Sequence, residues 1–175
     1  MERLLDAKQI DAALHKLCQA VAADCADPTH LVVIGVRSRG EVLAERLATR
    51  LARQFNRSVP CGTLDITLYR DDLNDPQGEG QPTVRSTEID FNVDGRLVLL
   101  VDDVLHTGRS VRAAMDALVD LGRPRAIRLA VLVDRGGREF PIQANYVGIH
   151  PDVPDDQAVR VHLTETDGRD EVVVD

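Results

Sequence analysis

The chain has 175 residues, 43% of them hydrophobic, which suits one soluble domain burying about 70% of its unfolded surface. A formal net charge of -8 disfavours a surface that coats nucleic acid generally, and the apolar runs fall far short of a membrane span. Three cysteines, Cys18, Cys25 and Cys61, show no CxxC spacing, so neither a disulfide framework nor a zinc site is indicated. Glu2, Arg3 and Asp6 interrupt any apolar leader, and a cytoplasmic location is expected.

In chain order, Ile10, Leu14, Leu17 and Val21 recur at helical spacing and predict a helix over 7–26, with Cys18 as a small core residue. A strand follows at 31–36, a helix at 41–54 and a strand at 64–69. Between 71 and 85 the sequence is rich in Gly, Pro and acids without buried periodicity, which reads as a mobile loop. A strand at 97–101, a helix at 111–121 stopped by Gly122 and Pro124, and a strand at 127–133 complete an alternation typical of βαβ units. Shorter strands are expected at 145–148 and 159–163.

The stretch VLLVDDVLHTGRS, Val98 to Ser110, carries the most information. Its uniformly apolar start suits a central strand covered on both faces. Asp102 and Asp103 then arrive at the carboxyl end, where open α/β sheets bind ligands. Thr107, Gly108, Arg109 and Ser110 open the next helix, whose free N–H groups and dipole suit a phosphate. Two carboxylates beside a phosphate make sense if they grip sugar hydroxyls or a divalent cation; the alternative is that they only cap a strand and a helix. A sugar phosphate with Mg²⁺ meets all these demands.

This stretch resembles the phosphoribosyl pyrophosphate (PRPP) signature of type I phosphoribosyltransferases. Further segments resemble one branch, the pyrimidine-operon regulator family (PyrR): VIGVRSRGEVLAERLA at 33–48, LDITLYRDDL at 64–73, RAAMDALVDLGRPRAIRLAVLVDRGGREFPI at 112–142 and NYVG at 145–148. The resemblance implies an α/β fold with a central, mostly parallel sheet flanked by helices, a small hood and a mobile active-site loop, all in a single domain over 1–175. The implied reaction is displacement of pyrophosphate from PRPP by uracil to give UMP, with Mg²⁺ as cofactor.

The resemblance also distributes roles. Arg37, Ser38, Arg39 and Gly40 fall on the pyrophosphate loop, where a cis peptide would lie near Arg37-Ser38; a solvated arginine pair is the plainer alternative. Arg70, with Arg85 as a second candidate, would reach the pyrophosphate from the mobile loop, and Asp71 and Asp72 read as solvated acids. Asp102 and Asp103 would hold the ribose and tune Mg²⁺ through water or PRPP. With Val104 and Leu105 leading in, His106, Thr107, Gly108, Arg109 and Ser110 would cradle the 5′-phosphate. Asp134 and Arg135 would lead into the hood over the base, or form a structural ion pair. His106 stands where the family usually carries tyrosine, so its imidazole either assists deprotonation of the base or packs beside it.

A second function implied by the family is capture of operon-leader RNA by a uridine-nucleotide-bound dimer or dimer of dimers. Arg123, Arg125, Arg128, Arg135 and Arg138 could contribute a basic face, whereas Asp152, Asp155 and Asp156 would repel phosphates. Gly137 and Gln143 replace a histidine and an arginine usual on that face. The alternatives to uracil salvage are such an RNA attenuator, a nucleotide sensor with little catalysis, or a purine phosphoribosyltransferase.

Overall fold

The structure is a computed structural model that describes residues 1–71 and 87–175. Its elements are β1 (Glu2–Leu5), α1 (Ala7–Asp24), β2 (Leu31–Val36), α2 (Gly40–Phe55), β3 (Cys61–Leu64), β4 (Leu97–Leu105), α3 (Arg109–Leu121), β5 (Ala126–Asp134), β6 (Tyr146–Ile149), β7 (Val159–His162), α4 (Thr164–Asp167) and β8 (Glu171–Val174). Apolar runs with no polar face require cover on both sides, and β2, all six residues of it buried, has that cover. Leu31, Val33, Leu99 and Val101 pack toward α1 and α2, while Val32, Ile34, Val98 and Leu100 pack toward α3.

The main sheet is parallel in the order β3-β2-β4-β5-β6. From β2 the chain moves outward to β3, and from β4 it moves the other way to β5, so the loops leaving β2 and β4 diverge at their carboxyl ends. That divergence opens a crevice at the topological switch point. A smaller antiparallel sheet, β1-β8-β7, joins the two chain ends and supplies the expected hood.

Two glycines set how closely α2 approaches this crevice. A Cβ on Gly35 would lie 2.4 Å from the Gly40 carbonyl oxygen and 2.5 Å from Glu41 Cα, and one on Gly40 would lie 2.7 Å from the Val101 carbonyl oxygen. The first turn of α2 therefore rests directly on β2 and β4, which no larger residue would permit.

Several expected boundaries move. The strand expected at 64–69 keeps only Leu64, the last residue of β3: the Asp65 carboxylate accepts from Thr67 N (2.9 Å) and Thr67 Oγ1 (2.6 Å), ending β3 and starting a 3₁₀ turn at Thr67–Tyr69. α1 stops at Asp24 rather than 26, because Asp27 accepts from Thr29 N and begins a separate 3₁₀ turn. β4 extends to Leu105 because β5 continues beside it to Asp134. The mobile loop expected at 71–85, with Asp72 and Arg85, lies outside the described residues apart from Asp71.

Gly35→Ala is expected to cost at least about 3 kcal/mol by overpacking against backbone. Urea unfolding of the variant measures it; a loss under 1 kcal/mol would mean that α2 can shift without consequence.

Candidate active site

β4 carries Asp102 and Asp103 inside its hydrogen-bonded ladder, with Asp102 paired to Val131 of β5, rather than beyond the strand's end. Strand pairing thus holds the two carboxyls on a rigid element. Asp102 is 6% exposed. Its Oδ1 accepts from Asp103 N (2.9 Å), and Asp103 Oδ1 accepts from Val104 N (2.8 Å). Burial and the neighbouring Asp103 charge push the Asp102 carboxyl well above the usual carboxylate range, and burial raises Asp103 as well. Glu41, in the first turn of α2, adds a third negative charge with one buried, unpartnered oxygen.

Opposing this charge are two helix N-termini. Neither α2, capped by Arg39, nor α3, capped by Gly108, has a side-chain cap hydrogen bond, whereas α1, away from the crevice, is closed by an Asp6–Gln9 capping box. Both termini present N–H groups and the positive ends of their dipoles near the diacid, with the Arg109 N–H of α3 donating to Thr107 Oγ1 (3.2 Å). Gly108 has φ 91°.

The predicted loop residues gather here, with their side chains in specific uses. The Arg37-Ser38 peptide is cis. Arg37 Nη2 lies 3.7 Å from Glu88 Oε2, and Arg39 makes a bidentate pair with Asp167 of α4. Both guanidiniums are thus committed to carboxylates, which leaves Ser38 and the start of α2 at the crevice. Arg70 is exposed just after the 3₁₀ turn, which Tyr69 ties to α3 through Asp120 Oδ2 (2.7 Å).

In the 104–110 segment, Leu105 is a core residue under α3, so only its backbone borders the site. Val104 is half-buried against the opposite core, and Ser110 is exposed. Thr107 accepts from Glu139 N (2.9 Å) and Phe140 N (3.0 Å) through its carbonyl oxygen. The Arg109 side chain leaves the turn, lies 4.6 Å over the Phe140 ring and meets Asp71 and Glu139 at 2.5 Å each.

The loop after β5 is internally braced. Arg138 donates to Asp134 Oδ2 (2.6 Å), the His106 carbonyl (2.9 Å) and the Ile142 carbonyl (2.7 Å). Burial alone would raise the Asp134 pKa, but Arg138 and Gly136 N hold it below the ordinary value. Arg135 donates to the carbonyls of Gln157 and Pro154. His106 is kept neutral at pH 7, since burial and the nearby Arg135 charge lower its pKa. A Cβ on Gly137 would lie 2.9 Å from His106 Nε2, so two of the three positions that depart from the family pattern adjoin one another.

The five arginines considered as a basic face separate. Arg123 and Arg125 precede β5 and Arg135 and Arg138 follow it, about 26 Å apart along a nine-residue strand. Arg128 lies between them, exposed on β5 itself.

Comparison with known proteins agrees with this geometry. A phosphoribosyl transferase domain profile matches residues 1–165. The bifunctional protein PyrR of Pelotomaculum thermopropionicum is 49% identical over 98% of this chain and 94% of its own. The chain belongs to the PyrR family of phosphoribosyltransferases. PyrR of Deinococcus radiodurans is 50% identical over 95% of this chain and 90% of its own. The fold also matches the hypoxanthine phosphoribosyltransferase of Trypanosoma cruzi, with a TM-score of 0.72 at 21% identity over 99% of this chain and 95% of that one. Among the described residues, no helix is long and apolar enough to cross a membrane.

Read from the sequence alone, the site lacks Asp167, Glu41 and Arg138. The spacing of Glu165, Asp167 and Asp170 was the only local signal for the first, and nothing local marks which arginines these acids meet.

Asp167 and Asp170 are held at about 2, against 3.8 for a free carboxyl, chiefly by hydrogen bonds from Arg39 and Arg46. Their folded pKa is depressed, so their stabilisation is complete above about pH 4 and is lost as pH falls toward 2. Thermal melts should therefore show the wild-type midpoint falling about 2–4 °C more than that of Asp170→Asn between pH 5 and pH 2.5. Parallel acid limbs would contradict this.

Proposed function

We propose that the protein is a cytoplasmic uracil phosphoribosyltransferase, a single catalytic domain that joins uracil N1 to C1 of PRPP, with regulation of pyrimidine genes as its second role. The C1–N1 bond forms as the bond from C1 to the pyrophosphate oxygen breaks, and the N1 proton leaves with no covalent enzyme intermediate. The observation that carries this reading is the strand-held Asp102–Asp103 pair, Asp102 buried and Asp103 half-buried, between two helix N-termini whose N-cap residues make no side-chain bond.

In this reading the turn from His106 to Ser110 binds the 5′-phosphate with the α3 N-terminus, and the 37–40 loop with the α2 N-terminus binds the pyrophosphate. The Asp102 and Asp103 carboxylates accept from the ribose hydroxyls and stabilise positive charge developing at the sugar. The donor set fits Mg²⁺ only in part: two hard carboxylates are present, but among the described residues no three metal-binding side chains converge. That matches an ion carried in by the diphosphate, with Asp102 and Asp103 contacting it through water or PRPP. When bound, Mg²⁺ supplies charge neutralisation to the leaving group. Arg39 and Arg70 add positive charge on that side, Arg85 is a further candidate, and neutral His106 packs beside the base.

The 135–142 loop, braced by Arg138, presents backbone groups to the uracil amide edge. Asp134 and Arg135 support it through its internal bonds. The regulatory role, capture of operon-leader RNA by a uridine-nucleotide-bound homo-oligomer, rests on family membership.

UMP formation from uracil, PRPP and Mg²⁺ tests the reading, with hypoxanthine as a control base. Uracil-specific turnover should fall about 100-fold or more in the Asp102→Asn, Asp103→Asn double variant. PRPP or UMP binding without turnover on any base would instead make the chain a nucleotide sensor.

A further inference from the structure

Besides its core contacts, the hood meets the main domain through two arginines that grip the same short segment, Arg39 at the cap of α2 and Arg46 within it. Arg46 pairs with Glu165 (2.6 Å) and Asp170 (2.8 Å), and Arg39 pairs with Asp167 through Nη2–Oδ1 (2.8 Å) and Nε–Oδ2 (3.2 Å). The Arg46 clamp is doubly bidentate, with Arg46 and Asp170 mostly buried and Glu165 half exposed, and it fastens the segment to the body of α2. The Arg39 clamp does something different, because Arg39 ends the pyrophosphate loop and caps α2 with φ 73°.

Asp167 is a firm anchor for that side chain. Its Oδ2 also accepts from Leu163 N (2.8 Å), its own N–H donates to the Leu163 carbonyl (2.6 Å), and its side chain is 15% exposed. With the Nε–Nη2 edge of Arg39 occupied, Nη1 is left beside Ser38 Oγ at 3.3 Å, and the guanidinium charge stays within reach of Asp103. A planar fork held on one edge has little freedom to rotate, so one contact sets the direction of the other edge and the path of the loop.

We infer that Asp167 is a positioning residue for the pyrophosphate loop, acting through Arg39 to hold residues 37–40 in a shape that receives the diphosphate of PRPP. This rests on the phosphoribosyltransferase reading of the site. The hood thereby contributes to binding at the pyrophosphate end of the crevice as well as over the base.

The test is calorimetric titration of PRPP with Mg²⁺ into wild type, Asp167→Ala, Arg39→Ala, the double variant and Asp170→Asn, with thermal melts and UMP assays alongside. Asp167→Ala should weaken PRPP binding about tenfold and raise the PRPP KM correspondingly while leaving the uracil KM within twofold. The double variant should bind no worse than Arg39→Ala, and Asp167→Glu should recover part of the loss. Asp170→Asn, which loosens the same segment at Arg46, should lower the melting temperature yet leave PRPP binding within twofold.

Additive losses in the double variant, or equal PRPP loss in Asp170→Asn, would overturn the proposal in favour of simple hood stability. Tighter PRPP binding by Asp167→Ala would overturn it by making the carboxylate a competitor of the diphosphate. A wild type that binds PRPP but forms no UMP defeats the uracil reading, while the PRPP comparison still decides the role of Asp167. Absence of PRPP binding by the wild type defeats both.

Discussion

Setting two adjacent carboxylates in the middle strand of a sheet is the constraint around which the rest of this protein is arranged. Asp102 is buried, Asp103 stands half-buried beside it, and Glu41 adds a third acid nearby. Such a cluster is unfavourable unless protons, cations or dipoles offset it. The fold supplies dipoles: Gly35 and Gly40 let the start of α2 lie on the strands, and α3 starts six residues after Asp103, at Arg109. What remains uncompensated is the attraction that a cationic or hydroxyl-rich substrate meets.

The same economy explains where the arginines go. In a site meant for phosphates, free guanidiniums are the obvious donors, yet Arg37, Arg39 and Arg109 are each paired to a carboxylate. Paired arginines hold loops in place and leave the anion contacts to backbone N–H groups, which cost nothing to reorganise when the ligand arrives. Arg138 does the equivalent work in the loop over the base, bridging β5, the phosphate turn and Ile142. Rigid loops joined by ion pairs are the common theme of the crevice.

Much of this was legible in the sequence, and what was hidden has a physical reason. The 98–110 stretch announces a central strand, a diacid and a phosphate turn because strand, charge and helix start are all local. Hydrophobic periodicity likewise placed α1, α2, α3 and the core of β5. β1 and β8 escaped because they are four-residue strands that pair from opposite ends of the chain, and that pairing leaves no periodic trace. The Asp65 turn overrode the β-prone residues at 66–69, since a side chain bonding its own backbone two residues on competes with the ladder. Asp167 escaped because its partner, Arg39, lies 128 residues away.

The central claim is that the strand-held diacid, set between two helix N-termini, grips the ribose of PRPP. It is tested most directly by calorimetric titration of PRPP with Mg²⁺ into the wild type and the Asp102→Asn, Asp103→Asn variant. The account predicts that the variant binds PRPP at least about tenfold more weakly, through loss of the charge-assisted hydrogen bonds to the ribose hydroxyls. Equal affinity in the two proteins would show that the pair does not hold the substrate, and would contradict the account.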